Sequence, residues 1–254
     1  METYAEYEEF STSPVSRREI PGPASVLVIE LADPILAAGA AQDGNMRSTT
    51  AFLGSPGRGP AVTWHGGFQH CIEIRLTLLG TYQLFGSMRD LAGCIVPLDA
   101  LWGCRAGQLT ARLASAGAWH WRFDLLDRVL GTTLMTGTEP DPEVAYAWTR
   151  LHDTAGNLTV GTLVRETGWS RGRLAERFRA QTGLAPKAVA TLLRFHRAID
   201  LIDQGVLSLT SIAASCGYYD QAHFNRDFRT FAGCSPTEWT NSRFTGLVGA
   251  GTHS

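Results

Sequence analysis

The sequence predicts two domains, an α+β domain followed by an all-α domain. In the N-terminal half, short stretches that alternate apolar and polar residues are separated by breaks rich in glycine and proline, which is typical of β-strands. In the C-terminal half, one pattern of helix, glycine turn and helix occurs twice, which predicts two helix-turn-helix units. The acidic, glycine-rich stretch 135–143 lies between the halves. We therefore place the domains at residues 1–137 and 138–254.

The clearest strand is residues 69–78, QHCIEIRLTL, in which apolar and polar residues alternate. His70, Ile72 and Ile74 lie on one face and Glu73 on the other, as in a half-buried β-strand. Further strand candidates are the segments SVLVIEL, STTAFLGS and AVTWH. The pattern then changes to two helical stretches, GQLTARLASAGA and WHWRFDLLDRVLGTTLM. We therefore expect a sheet packed with helices.

The second of these helices, residues 119–135, carries an apolar stripe with charged residues beside it. The stripe consists of Leu125, Leu126, Val129 and Leu130. It is suited either to joining two subunits in a homodimer or to packing against the sheet of its own subunit. The sequence alone leaves both arrangements open.

The composition describes a soluble globular protein of 254 residues, with 44% apolar and 18% charged residues. The sequence contains no run of 18 apolar residues, so we expect no membrane span. The acidic start METYAEYEEF does not resemble a signal peptide. The five cysteines are an odd number without CxxC spacing, which favours reduced thiols in the cytoplasm over disulfides or a zinc site.

The charge is distributed unevenly along the chain. Residues 1–142 carry 10 basic and 15 acidic residues, a net charge of −5, whereas residues 143–254 carry 12 basic and 9 acidic residues, a net charge of +3. This asymmetry indicates that the C-terminal half meets an anion, although such an excess also occurs in proteins that bind none.

The repeat in the C-terminal half aligns residues 158–186 with residues 207–236. In each copy a hydroxyl residue begins a short first helix, a glycine ends it, and a polar residue caps a second helix. The aligned pairs are Thr159 and Ser208, Gly168 and Gly217, Ser170 and Asp220, Leu174 and Phe224, and Phe178 and Phe228. Such a unit can place its second helix in the major groove of DNA.

A longer predicted helix, from Pro186 to Gly205, joins the two copies. Proline suits its first position and glycine its end. A helix of this length spans about 27 Å, so it could hold two recognition helices roughly one turn of DNA apart, about 34 Å.

The second helix of the second copy has two distinct faces. Phe224, Phe228 and Phe231 recur with the spacing of one helix face, and polar residues occupy the opposite side. The segment GYYDQAHFNRDFRTFAGCSP, residues 217–236, together with the repeat, resembles the AraC/XylS family of bacterial transcription regulators. The resemblance covers about residues 143–242.

In that family the exposed face of each second helix reads DNA. The resemblance implies that helices near 170–181 and 220–231 read two successive major-groove segments of double-stranded DNA. The base-reading positions hold Gln221, Ala222, Asn225 and Arg226 in the second copy and Arg171, Gly172, Ala175 and Glu176 in the first. The expected DNA backbone contacts are Arg173, Arg177, Arg179 and Arg229.

The chemistry of the second copy agrees with base reading, whereas that of the first departs from the family. Arginine can pair with guanine, and asparagine or glutamine can pair with adenine. The family often has arginine where Glu176 stands, and the small side chains of Gly172 and Ala175 reach at most a thymine methyl group. We therefore expect the second copy to carry more of the sequence specificity.

The N-terminal half bears a diffuse likeness to the N-terminal domain of a poorly characterised branch of the family, through LTLLGTYQLFG and the preceding strand. Family members commonly place a β-barrel-like sensor there, so the resemblance implies control by a small-molecule effector. We expect the pocket on the face of His70, Ile72 and Ile74. The resemblance also implies RNA polymerase as a partner if the protein is an activator, and neither a cofactor nor an enzymatic activity.

The alternative is an enzyme or a metal-binding module fused to a DNA-targeting domain. His65, His70, Cys71 and Glu73 are residue types that bind metals. However, His70 and Glu73 point to opposite faces of a strand, so they cannot bind one ion without a bulge. The N-terminal half also lacks GxSxG and HExxH motifs and phosphate-binding glycine loops. We therefore predict no metal site and no catalytic site.

Overall fold

The computed structural model describes residues 3–42 and 44–244, with side chains to residue 241. The strands are β1 (Thr3–Phe10), β2 (Val15–Glu19), β3 (Ala24–Glu30), β4 (Ile35–Ala38), β5 (Arg47–Thr49), β6 (Ala51–Gly54), β7 (Ala61–His65), β8 (Phe68–Thr77) and β9 (Ile95–Pro97). The helices are α1 (Leu78–Phe85), α2 (Leu98–Trp102), α3 (Cys104–Ser115), α4 (Trp119–Thr136), α5 (Pro142–Asp153), α6 (Val160–Thr167), α7 (Arg171–Thr182), α8 (Pro186–Gln204), α9 (Leu209–Ser215), α10 (Gln221–Ala232) and α11 (Pro236–Phe244). The end of the predicted second domain, residues 245–254, lies outside the described residues.

The N-terminal half contains two antiparallel sheets that pack face to face. One has the strand order β1-β8-β3-β6-β9 and the other β2-β7-β4-β5. Side chains from both sheets form a shared apolar cluster that includes Val28, Phe52 and Cys71 from the first sheet and Ile35 from the second. This arrangement, with helices on the outer face of the larger sheet, confirms the predicted α+β domain with a barrel-like pair of sheets.

Strand β8 is buried on one face and only partly covered on the other, which confirms the expected half-buried strand for most of its length. Ile72 and Ile74 face helices α1 to α4 and are fully buried in the cluster that these helices form with the sheet. Cys71, on the opposite face, is fully buried between the two sheets. Further along the same face Glu73 is partly exposed and Arg75 is exposed, so the second sheet covers this face only around Cys71.

Helix α4 packs against its own sheet through the predicted apolar stripe. Leu125, Leu126 and Leu130 are buried in the cluster beneath the helices, and Val129 packs against it. Of the two arrangements that the sequence leaves open, the structure has the one within the subunit.

The C-terminal half forms a separate all-α core around the long helix α8. Phe178 of α7, Phe195 of α8 and Phe228 of α10 are fully buried in it, and Phe195 lies 5.2 Å from Phe228 between ring centroids. Leu78, at the start of α1, also belongs to this core and links it to the N-terminal half. Among the described helices, none has the length and apolar character that crossing a membrane requires.

Candidate nucleic-acid interface

The first helix-turn-helix corner is built by the residues that the sequence predicted. The Thr159 side chain accepts a hydrogen bond from the Thr162 amide at 3.1 Å and so caps α6. Gly168 ends α6 in the left-handed conformation, with φ of 70°, which a residue with a side chain rarely adopts. Ser170 then caps α7 by accepting from the Arg173 amide at 3.2 Å. These contacts fix the direction in which α7 leaves the corner.

The second corner repeats these contacts with a longer turn. Ser208 accepts from the Ser211 amide at 3.2 Å and caps α9. Asp220 accepts from the His223 amide at 2.6 Å and caps α10. Five residues separate α9 from α10, whereas three separate α6 from α7. The buried Tyr218 fills the longer turn, with its ring edge-on to that of His223.

Helix α10 buries its phenylalanines and presents the predicted base-reading positions to solvent. Gln221, Ala222 and Arg226 are exposed and Asn225 is partly exposed. The amide oxygen of Gln221 accepts a hydrogen bond from Thr210 at 3.1 Å, which steadies this side chain at the start of the helix. The face therefore offers an amide, a second amide and a guanidinium along one side of a helix.

Helix α7 presents the aligned positions of the first unit in the same way. Arg171, Gly172 and Glu176 are exposed and Ala175 is partly exposed, while Leu174 and Phe178 are buried on the opposite side. This face carries one arginine and one carboxylate with two small residues between them, so it has fewer groups that can bond to base edges than α10 has.

The four arginines expected at the DNA backbone are all exposed, but they differ in their surroundings. The guanidinium of Arg173 lies over the ring of Trp169, 4.4 Å from its centroid. This contact restricts the conformations of the Arg173 side chain. Arg177 donates two hydrogen bonds to Asp141, at 2.6 and 2.8 Å. These bonds hold the pKa of the Asp141 carboxyl below its ordinary value. Asp141 uses two of the five N–H donors of this guanidinium and neutralises its charge, so the ion pair weakens the attraction of Arg177 for a phosphate.

Sequence reasoning did not single out Tyr219 as a site residue. It follows the buried Tyr218 in the turn before α10, and its side chain is 93% exposed. The only signal in the sequence is the doublet of tyrosines, which does not show which ring is inside. Its hydroxyl and ring stand beside the start of the predicted recognition helix.

Polar contacts connect the N-terminal half to the helical domain at more than one point. The Met88 amide donates to the Ala180 carbonyl of α7 at 2.9 Å, and the Arg89 guanidinium lies 3.5 Å from the Glu176 carboxylate. On α8, a ring nitrogen of His196 lies 3.0 Å from the carbonyl oxygen of Pro21, and burial lowers the pKa of this histidine. The first recognition helix is thus attached to the rest of the chain at several points.

The predicted effector-pocket residues are separated in the structure. Ile72 and Ile74 are fully buried among the helices, whereas His70 lines an open cleft beside β1 and α4 to which neither isoleucine contributes. His70 also lies 2.9 Å from the Glu6 carboxylate. Within the described residues, no group of three or more His, Cys, Asp or Glu side chains is placed to hold a metal ion.

Comparisons with known proteins agree with this architecture. A family of helix-turn-helix domains matches residues 163–242. An AraC-like transcription regulator of Streptomyces lividans is 36% identical over 100 residues, which are 39% of this chain and 33% of that protein. The Escherichia coli transcriptional activator RclR, described as RCS-specific and of helix-turn-helix type, is 35% identical over 81 residues, 32% of this chain and 28% of that protein. The chain thus spans about a third of the length of these curated relatives.

A solved structure is similar over nearly the whole chain. ToxT from Vibrio cholerae superposes with a TM-score of 0.52 and 10% identity, covering 94% of this chain and 98% of that one. ToxT bound to (E)-4-(8-methylnaphthalen-1-yl)but-3-enoic acid gives a TM-score of 0.50, again with 10% identity, over 94% of this chain and 99% of that one. At this identity the likeness concerns the fold alone. The C-terminal half of this chain therefore carries a helix-turn-helix domain of the AraC type.

Proposed function

We propose that the protein is a sequence-specific DNA-binding transcription regulator. The observation that carries the proposal is that both second helices, α7 and α10, bury their apolar side and leave the predicted base-reading positions exposed. Both helices belong to one core around α8, whose 19 residues span about 28 Å. A duplex would meet two recognition helices that are held by a single rigid element.

In this proposal α10 supplies most of the sequence reading. Arg226 pairs with a guanine, and Asn225 and Gln221 pair with adenines or bridge to neighbouring bases. Arg173, Arg179 and Arg229 bind phosphates and fix the position of the domain on the duplex. Tyr219 joins them, because a tyrosine hydroxyl beside the start of a recognition helix can donate to a phosphate oxygen.

We further propose that the N-terminal domain, residues 1–137, controls this activity by binding a small-molecule effector. The ToxT fold binds an organic acid in one of its structures, and the same pair of domains is present here. The contacts of Met88 and Arg89 with α7 provide a physical connection between the domains. The same proposal includes a homodimer and a cytoplasmic location. It also includes RNA polymerase as a partner if the protein is an activator.

The enzyme alternative requires an ionisable group with a perturbed pKa at an accessible site in the N-terminal half. Burial raises the pKa of Glu30 to about 7, and the side chain of Gln69 donates a hydrogen bond to its carboxylate at 2.7 Å. However, Glu30 is only 2% exposed, and its perturbed carboxyl is enclosed by protein. We therefore favour the regulator over the enzyme.

The experiment that tests the proposal compares the full chain with a fragment of residues 138–254. DNA sequences are first selected from a random pool by the full protein, and both proteins are then titrated with the selected DNA and with scrambled DNA. We expect the fragment to fold, since its core comes from its own helices apart from the buried Leu78 and the partly buried Ile20, Leu79 and Ala92. We also expect it to prefer the selected sequence. A folded fragment without any preference would contradict the division into a DNA-reading and a controlling domain.

A further inference from the structure

A cleft of about 410 Å³ opens between the edge strand β1 and the first turn of α4. Its volume is within the range of small-molecule sites, roughly 300–1,000 Å³. Its principal lining side chains are Tyr4, Glu6, Glu8, His70, Trp119 and Phe123. One wall is a strand of acidic and aromatic residues, and the other is the aromatic start of a helix.

The aromatic rings of the cleft are arranged as a connected wall. The rings of Tyr4 and Phe123 lie 5.4 Å apart between centroids, and those of Phe123 and Trp119 lie 5.6 Å apart in an edge-on arrangement. Trp119 is 61% exposed, although transfer of an indole ring out of water is favourable. The face of such a ring attracts cations within about 6 Å of its centroid.

The charges around the cleft are predominantly negative. The Glu6 carboxylate pairs with Arg122 and His70 through one oxygen, and its Oε2 is buried without a partner in the part of the chain that the structure describes. The Glu8 carboxylate lies 3.5 Å from the other side of the His70 ring. Asp127 accepts a hydrogen bond from Tyr4 at 2.8 Å behind the aromatic wall. The carboxylates of Glu6, Glu8 and Asp127 therefore lie at or behind the cleft, and they outnumber the Arg122 guanidinium and the His70 ring even when that ring is protonated.

We propose that this cleft binds a small organic cation of the alkylammonium class. The positive charge lies near Glu6 and Glu8, and its alkyl groups contact the rings of Trp119 and Phe123. Aromatic rings combined with carboxylates recognise quaternary ammonium ions of this class because a fully alkylated nitrogen has no N–H hydrogen bonds to water to lose and is drawn to ring faces. An organic anion would meet the excess of carboxylates and be repelled.

The position of the cleft suits an effector site, a role that rests on the function proposed above. Helix α4 begins at the cleft with Trp119 and ends at Thr136, five residues before Asp141. Asp141 holds Arg177 on the first recognition helix. A ligand that shifts the start of α4 therefore acts on a helix whose far end leads directly to the DNA-binding domain.

The test uses the full protein and two probes of nearly the same shape, choline and its uncharged isostere 3,3-dimethylbutan-1-ol. Binding is measured by calorimetry and by tryptophan fluorescence. We expect choline to bind saturably. The affinity for the neutral isostere should be lower by at least about two- to fivefold. Equal affinities for the two probes, or no saturable binding of choline, would overturn the proposal.

Two tryptophans on the same helical turn provide a matched pair of variants. Trp119 lines the cleft, whereas Trp121 is 59% exposed and is not among the lining residues. Trp119→Leu should weaken choline binding by about two- to fivefold, and Trp121→Leu should leave it unchanged. Equal effects of the two substitutions would place the ligand elsewhere.

A second pair tests the charge, Glu8→Gln in the cleft against the exposed Glu139→Gln outside it. Only the first should weaken choline binding. The same choline titration is then followed by its effect on DNA affinity. Choline that binds at Trp119 without changing DNA affinity would leave the site standing and contradict effector control, so the two proposals fail separately.

Discussion

The two helix-turn-helix units are alike in their corners and different in their outer faces. Both have a hydroxyl cap on the first helix, a left-handed glycine in the turn and a capped second helix. The repeat aligns Glu176 of the first unit with Arg226 of the second, and Ala175 with Asn225. The residue types in the corner are constrained because their contacts set the angle between two helices. The residue types on the solvent face make no such contacts and can differ between the units.

The difference extends to how each unit is attached to the rest of the chain. On α7, the carbonyl of Ala180 accepts from Met88, Glu176 lies near Arg89, and Arg177 is held by Asp141. The outer face of α10 keeps Arg226 exposed. For the proposed function, this comparison predicts a division of roles, in which the second unit reads the DNA sequence and the first couples DNA binding to the N-terminal domain.

The largest effect is expected from Phe228→Ala in the core of the second unit. Phe228 is fully buried and its ring packs against Phe195, Phe224 and Trp239. Loss of a core phenylalanine typically costs about 3–5 kcal/mol of unfolding free energy. The matched Phe178→Ala in the first unit should cost a similar amount. Denaturant unfolding measures both, and a wild-type midpoint for Phe228→Ala would mean that this face of α10 is not in the core.

Removing Arg226, the proposed base-reading arginine, should have the next largest effect. Arg226→Ala should weaken binding to the selected DNA by about 1–3 kcal/mol and relax the preference at one base pair, because a bidentate contact with guanine is lost. Quantitative binding to single-substitution DNA variants measures this preference.

The aligned Glu176→Ala in the first unit is the control for Arg226→Ala. It should change base preference little and should raise affinity slightly, because removing a carboxylate from the proposed DNA-facing surface reduces its repulsion of phosphates. If Glu176→Ala relaxed the preference as strongly as Arg226→Ala, the unequal division of reading between the units would be wrong.

A smaller and non-specific effect is expected from Arg173→Ala. If Arg173 contacts a phosphate, its loss should lower affinity for selected and scrambled DNA alike and reduce the slope of log K against log salt by about one unit. Titrations at several salt concentrations measure the slope. An unchanged slope would remove Arg173 from the interface.

The smallest effect is expected from Asp141→Asn, which breaks the attachment of Arg177. Exposed ion pairs contribute about 0.2–1 kcal/mol, so unfolding free energy should fall by no more than this at pH 7. The pKa of Asp141 is lowered in the folded protein, so its contribution is present above the ordinary aspartate pKa of about 3.9 and is lost as the pH falls through the folded value. The difference between variant and wild type should therefore vanish in strong acid.

The same Asp141→Asn variant tests the competition between Asp141 and phosphate. A released Arg177 should bind the DNA backbone more readily, so affinity should rise, and it should rise more at low salt. An unchanged affinity would show that Arg177 does not reach the duplex even when it is free.

The sequence by itself determined the helical domain in detail. The caps Thr159, Ser170, Ser208 and Asp220 all form the predicted local contacts. Each joins a side chain to an amide three residues further along the chain, so neighbouring residues are sufficient to specify it. The faces of α7 and α10 follow equally from spacing, because a buried residue on a helix places the exposed ones automatically.

Only the tertiary structure decided which surfaces are covered and which side chains pair over long distances. The stripe of α4 suits a partner subunit or its own sheet equally well, and Cys71 became buried because a second sheet covers its side of β8. Arg177 and Asp141 lie 36 residues apart in the sequence, and His70 meets Glu6 across 64 residues. Such contacts depend on how whole layers pack, which is a property of the complete chain and leaves no periodic trace in any one segment.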